Sequence, residues 1–163
     1  MQVYLLRHGI AQKHAPKGND ADRALTEDGR RKLRQVLKAA AEAHVKPTLI
    51  LSSSLKRAMQ TAEIAKSVLD YNNEIVRSKA LRPGASVEDV WQEIRVHKDE
   101  PGLMLVGHNP QFAELSGYLL GSSEMQVDFK KGALLRIDFE QFRAAPKGTL
   151  RWYLTAKMAL SRR

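Results

Sequence analysis

The stretch Gln2-Val3-Tyr4-Leu5-Leu6-Arg7-His8-Gly9 decides how the chain is read. Its apolar run has the length and composition of a buried strand, and it stops at an arginine, a histidine and a glycine. Glycine lets the backbone turn sharply or approach a ligand closely. Arginine brings a planar, permanently charged fork suited to phosphate or carboxylate oxygens. Histidine brings a ring nitrogen that can be neutral, and so nucleophilic, near pH 7. A buried strand capped by a surface Arg-His is also common, so the tripeptide needs support from the rest of the chain.

That chain has 163 residues, 43% of them hydrophobic and 28% charged, which suits one soluble globular domain over 1–163 with a real core. With no cysteine, disulfides and thiolate metal sites are excluded. No apolar run approaches a membrane span, and Val3 to Leu6 is too short for a secretory signal, so a cytoplasmic protein with no membrane partner is expected. The formal net charge of +9 favours acidic or phosphorylated partners. Nucleic acid is the rival explanation, but the charges are spread over the helices and no nucleic-acid module is recognisable.

After Gly9 comes a polar, irregular stretch, 10–24, long enough to be a functional loop, in which Lys13, Lys17 and Arg23 could face an anion. Thr26 is a fitting N-cap for a helix with Leu33, Val36, Leu37 and Ala40 on one face. Residues 47–51 read as a second strand, leading through Ser52-Ser53-Ser54 to a helix whose expected core stripe is Leu55, Met59, Ala62, Ala65 and Leu69. Arg57 falls off that stripe, in the first turn. A cation there opposes the helix dipole unless something negative sits beside it. Thr61, one turn on, is placed to orient it. A short strand at 74–76 and a turn at 81–84 follow. Ser86 then opens a capping box, which accounts for Glu88 and Asp89. Gly102 to Gly107 is the third clear strand, ending at His108, with Asn109 expected as N-cap and Pro110 as first helical residue. Alternation over 133–139 and 149–155 predicts antiparallel strands at a sheet edge, followed by a basic, frayed tail from Lys157 to Arg163.

Strands alternating with helices predict an α/β fold, in which ligands collect at the carboxyl ends of the strands. Those ends deliver Arg7 and His8, then Arg57, then His108, with no carboxylate of comparable placement. Two guanidinium groups and two imidazoles suit a tetrahedral dianion and repel a divalent metal, so neither metal nor cofactor is expected.

Leu6-Arg7-His8-Gly9, Leu25-Thr26-x-x-Gly29, Arg57-Ala58-x-Gln60-Thr61 and Val106-Gly107-His108 together resemble the histidine phosphatase superfamily, and within it the phosphohistidine phosphatase SixA branch, which lacks large insertions. The resemblance covers nearly the whole chain. It implies a three-layer α/β/α phosphoglycerate mutase-like fold with a mixed, mainly parallel sheet. It also implies a metal-independent reaction with His8 as nucleophile, forming a phosphohistidine that water hydrolyses. Arg7, Arg57 and His108 would clamp the phosphoryl oxygens, with Arg23 as a further phosphate or partner contact. Two neighbouring cations should lower the pKa of His8, and bound phosphate would favour a protonated His108.

Larger members of the superfamily add an acid that protonates the leaving oxygen. Glu88 or Asp89 would have to reach the site to serve, and capping is the stronger reading of both. Without an acid the expected substrate is phosphohistidine on a signalling protein, such as a histidine-containing phosphotransfer domain, because a nitrogen leaves more readily than an alkoxide. The alternatives are a small-molecule phosphomonoesterase and a non-catalytic phosphate-binding module. A monomer is expected.

Overall fold

A computed structural model describes residues 1–161. Six strands, β1 (Gln2–Arg7), β2 (Leu49–Ser52), β3 (Val76–Arg77), β4 (Gly102–Gly107), β5 (Leu134–Asp138) and β6 (Thr149–Leu154), form one sheet in the order β3-β2-β4-β1-β5-β6. The first four are mutually parallel; β5 and β6 are antiparallel at one edge, as the alternation predicts. Five helices cover the sheet: α1 (Glu27–Glu42), α2 (Lys56–Val68), α3 (Val87–Val96), α4 (Gln111–Leu119) and α5 (Ala156–Leu160).

Period-two side-chain alternation builds a core on each face. Tyr4, Leu6, Ile50, Met104 and Val106 pack under α1, α2 and α5. Val3, Leu5, Leu51, Leu103 and Leu105 pack under α3 and α4, with Trp91 and Phe112 fully buried among them. This is the α/β/α architecture expected. No described helix is long and apolar enough to cross a membrane.

Three local expectations shift. The buried face of α2 is Arg57, Ala58, Thr61, Ala62, Ile64 and Ala65, whereas Leu55 and Met59 are half-buried. Small alanines let α2 lie close to the sheet, and that rotation carries Arg57 inward instead of off the stripe. Next, α4 starts at Gln111 with Pro110 in the cap position, because the Asn109 side chain accepts from the Ala113 N–H at 3.2 Å. Finally, the tail is not frayed through 161: Thr155 caps α5, which packs on α1 through buried Ala159. The last two residues of the expected basic tail lie outside the described residues.

Candidate active site

The sheet register brings the two histidines together. Arg7 pairs with Gly107 across β1 and β4, so His8 and His108 leave adjacent strands side by side. Strands lie about 5 Å apart, and the two ring centroids are 5.1 Å apart with planes tilted by 56°. On the far side of β4, β2 pairs Ser52 with Val106, which places Ser53 next to His108. The first turn of α2 then supplies Arg57.

The His8 ring is 7% exposed, and its Nδ1 lies 2.7 Å from the Gly9 carbonyl oxygen. A carbonyl only accepts, so Nδ1 carries the proton and Nε2 keeps a free lone pair. Its pKa falls to about 4. Burial is the main cause; the bond to Gly9 opposes it, and the charges of Arg57, Arg7 and Lys131 add to it. His8 is therefore neutral near pH 7. His108 is 2% exposed, with a pKa pushed down to about 3 by burial, then by His8 and Arg57. Its Nε2 meets the Ser53 hydroxyl at 2.8 Å, while its buried Nδ1 has no protein partner.

The arginines are held by main-chain carbonyls. Arg7 donates from Nη1 to the Phe129 oxygen at 2.6 Å, and Arg57 from Nη1 to the Asp20 oxygen at 3.0 Å. Both Nε atoms are buried and unpartnered. Thr61 does not touch the Arg57 guanidinium. Its hydroxyl donates to the Arg57 carbonyl at 2.7 Å and accepts from the Gly9 N–H at 3.1 Å, tying α2 to the turn after His8.

Arg7, His8, Arg57 and His108 share a pocket of about 220 Å³ with Arg23, Asp20, Lys131, Ala11, Pro83 and Asn109. All five residues expected at the site are therefore brought together, Arg23 included. Lys13 and Lys17 do not line the pocket, and neither do Glu88 and Asp89. Asp89 donates its N–H to the Ser86 cap at 3.1 Å, and Glu88 acts on the pKa of Tyr118, at α4.

The expectation that no carboxylate is placed at the site is corrected by Asp20. The 3-10 turn Asp20–Asp22 folds back over α2, and Asp20 bonds Arg57 at 3.3 Å and Arg23 at 2.9 Å. Burial pushes its carboxyl up, but Arg57 and Arg23 outweigh that and hold it below the usual carboxylate range. Lys131 was also not foreseen. It precedes Gly132, at φ 73°, whose N–H donates to the carbonyls of Arg7 and His8. A left-handed residue there is cheap only for glycine, and its nearness to the turn after His8 is a tertiary fact. Among the described residues no group of three or more His, Asp or Glu could hold a metal ion.

A neutral histidine beside a second imidazole and several cations, at the carboxyl ends of a mainly parallel sheet, defines an α/β protein built to receive an oxyanion. A sequence model of the histidine phosphatase superfamily (branch 1) matches residues 3–83. An uncharacterized protein of Picosynechococcus sp. is 31% identical over 137 residues, covering 83% of each chain. The fold matches the protein histidine phosphatase SixA complexed with tungstate (TM-score 0.87, 23% identity, 96% of this chain and 98% of that one). It also matches an Agrobacterium tumefaciens structure assigned as phosphohistidine phosphatase SixA (0.81, 28%, 94% and 97%) and the alpha-ribazole phosphatase of Shigella flexneri (0.73, 19%, 96% and 97%). The chain belongs to the histidine phosphatase superfamily and is a phosphatase.

Proposed function

We propose that His8 is the nucleophile of a metal-independent phosphatase that removes the phosphoryl group from protein phosphohistidine. The observation that carries this reading is a set of orphans. Arg7 Nε, Arg57 Nε and His108 Nδ1 are buried polar atoms without a protein partner, on three residues lining one small pocket with the free Nε2 of His8. Buried polar groups are normally satisfied, and a phosphoryl group brings acceptor oxygens enough for all three. Both SixA-type neighbours and the chain's own family support a phosphoryl substrate, and tungstate, bound in one of those neighbours, is a tetrahedral oxyanion.

In the first step the Nε2 lone pair forms a bond to phosphorus while the bond from phosphorus to the leaving atom breaks with its electron pair. In the second, water attacks the phosphorus, the P–Nε2 bond breaks, and phosphate leaves; a water proton goes to solvent. Arg7 and Arg57 neutralise the equatorial oxygens, which is most of what phosphoryl transfer asks of a protein. Asp20 favours phosphohistidine over a phosphomonoester. Held ionised by two arginines, it has no proton to give near neutral pH, and Glu88 and Asp89 are elsewhere. A phosphohistidine ring protonated by solvent departs as neutral imidazole, a weak base, whereas an ester must expel an alkoxide, a strong base that leaves poorly unless a proton is delivered to it.

Rapid quenching at alkaline pH, where a phosphoramidate survives, tests the reading. Label from a phosphohistidine peptide should appear on the wild-type chain and vanish in His8→Ala, which should still bind phosphate. Label-free turnover, or turnover surviving in His8→Ala, would refute it. Turnover of a phosphomonoester as fast as the peptide would refute the substrate assignment.

A further inference from the structure

The catalytic pocket leaves most of the chain's positive charge unused. At about 220 Å³ it is smaller than the roughly 300 Å³ of the smallest pockets that enclose a whole drug-sized ligand. It can take a phosphoryl group and the tip of the side chain carrying it, so the rest of the substrate lies outside, over the rim. That rim is basic. Lys56 opens α2 beside Arg57, Lys79 lies in the 3-10 turn after β3, and Arg82 precedes Pro83 of the pocket wall and donates to Ser54 Oγ at 3.2 Å. All three are exposed, and none has an ion-pair partner among the described residues.

We propose that Lys56, Lys79 and Arg82 form a docking surface for the acidic face of a protein that presents its phosphohistidine to the pocket. The proposal rests on the phosphatase reading above and adds a partner to it. Complementary charge of this kind raises encounter rates and selects partners, and it is screened by salt.

Two synthetic phosphohistidine peptides, one flanked by Glu and one by Gln, test it against wild type and the triple variant Lys56→Glu, Lys79→Glu, Arg82→Glu. Wild type should prefer the Glu-flanked peptide by about tenfold in kcat/KM at low salt, and lose the preference at high salt. The triple variant should show a ratio near one while hydrolysing phosphoramidate, a small probe, at the wild-type rate. Equal kcat/KM on both peptides, or a preference that survives in the variant, overturns the proposal. So does loss of duplex DNA binding in the variant with the peptide preference intact, which would make the rim a nucleic-acid surface. If neither peptide is hydrolysed, the same preference is read as binding to His8→Ala. Its presence there upholds the docking surface while refuting the hydrolytic reading, and its absence overturns both.

Discussion

The Ser53 hydroxyl lies 2.8 Å from Nε2 of His108 and 3.3 Å from the Leu55 N–H, which donates to it. A hydroxyl can accept and donate at once; in the proposed reading it accepts from Leu55 and donates its proton to His108 Nε2. The neutral ring then carries its own proton on Nδ1, the atom with no protein partner. In that reading Ser53 makes His108 a donor toward the phosphoryl group without charging it. Ser53→Ala should lower kcat/KM about tenfold, the cost of an unsatisfied buried acceptor. It should also mix the ring tautomers, read as a change in the ¹⁵N shifts of His108. Ser53→Thr, which keeps the hydroxyl, should restore the shifts; unchanged shifts in Ser53→Ala would contradict the assignment.

Asp20 competes with an oxyanion for Arg57. Its carboxylate is two-thirds exposed, and it neutralises a guanidinium that the phosphoryl group would otherwise engage alone. Asp20→Asn removes the charge and keeps the shape. Phosphate, measured as a competitive inhibitor, should bind about threefold more tightly to this variant, the size expected of a mostly solvated ion pair. Weaker phosphate binding would show instead that Asp20 holds Arg57 in its working position.

The histidine pair makes stability depend on pH in a stated direction. The folded pKa values of His8 and His108, about 4 and about 3, lie below the ordinary value of 6.5. Between those limits the unfolded chain binds more protons than the folded one, so stability rises with pH through the window. It is fully present above about pH 6.5 and is lost as the pH falls toward 4 and 3. The loss amounts to a few kcal/mol, on the order of several degrees in Tm. Replacing His8 by Ala should flatten the decline of Tm between pH 6.5 and 4; an equally steep decline would mean that other groups cause it.

Strand ends were legible because hydrophobic runs end abruptly, and a polar residue at such an end needs no tertiary information to be noticed. Arg7, His8 and His108 were found this way, and Arg57 by its conflict with the helix dipole. What escaped was set by contacts between distant segments. Three serines in a row look alike until the β2–β4 register picks Ser53. Asp20 sits in a polar loop, and only the fold of that loop over α2 brings it to Arg57. Lys131 lies in a turn beside Arg7 and His8 that its neighbours in sequence do not announce. On α2 the expected stripe holds at Ala62, Ala65 and Leu69 and shifts at its start, where Ala58 and not Leu55 or Met59 is fully buried, because a small side chain is what a helix lying close to a sheet requires.

Gly29 shows how one position of a motif can serve the loop rather than the chemistry. The Ile10 carbonyl accepts from the Thr26 N–H at 2.9 Å and from its hydroxyl at 3.3 Å, so the start of α1 grips the chain just after Arg7-His8-Gly9. Thr26 Oγ1 also accepts from the Gly29 N–H at 2.9 Å. A Cβ on Gly29 would collide with the Ile10 carbonyl oxygen, and backbone atoms on both sides leave no flexible group to yield. In an exposed helix Gly→Ala stabilises by about 1 kcal/mol; here the sign should reverse, because overpacking costs about 1–3 kcal/mol. Gly29→Ala should lower the Tm and, by pushing Ile10 and the turn after His8 aside, reduce kcat further than the stability loss explains at a temperature where the variant remains folded. Circular dichroism melts beside steady-state turnover measure the two effects separately. A variant that melts higher than wild type with full activity would show that the close approach is not what holds this turn.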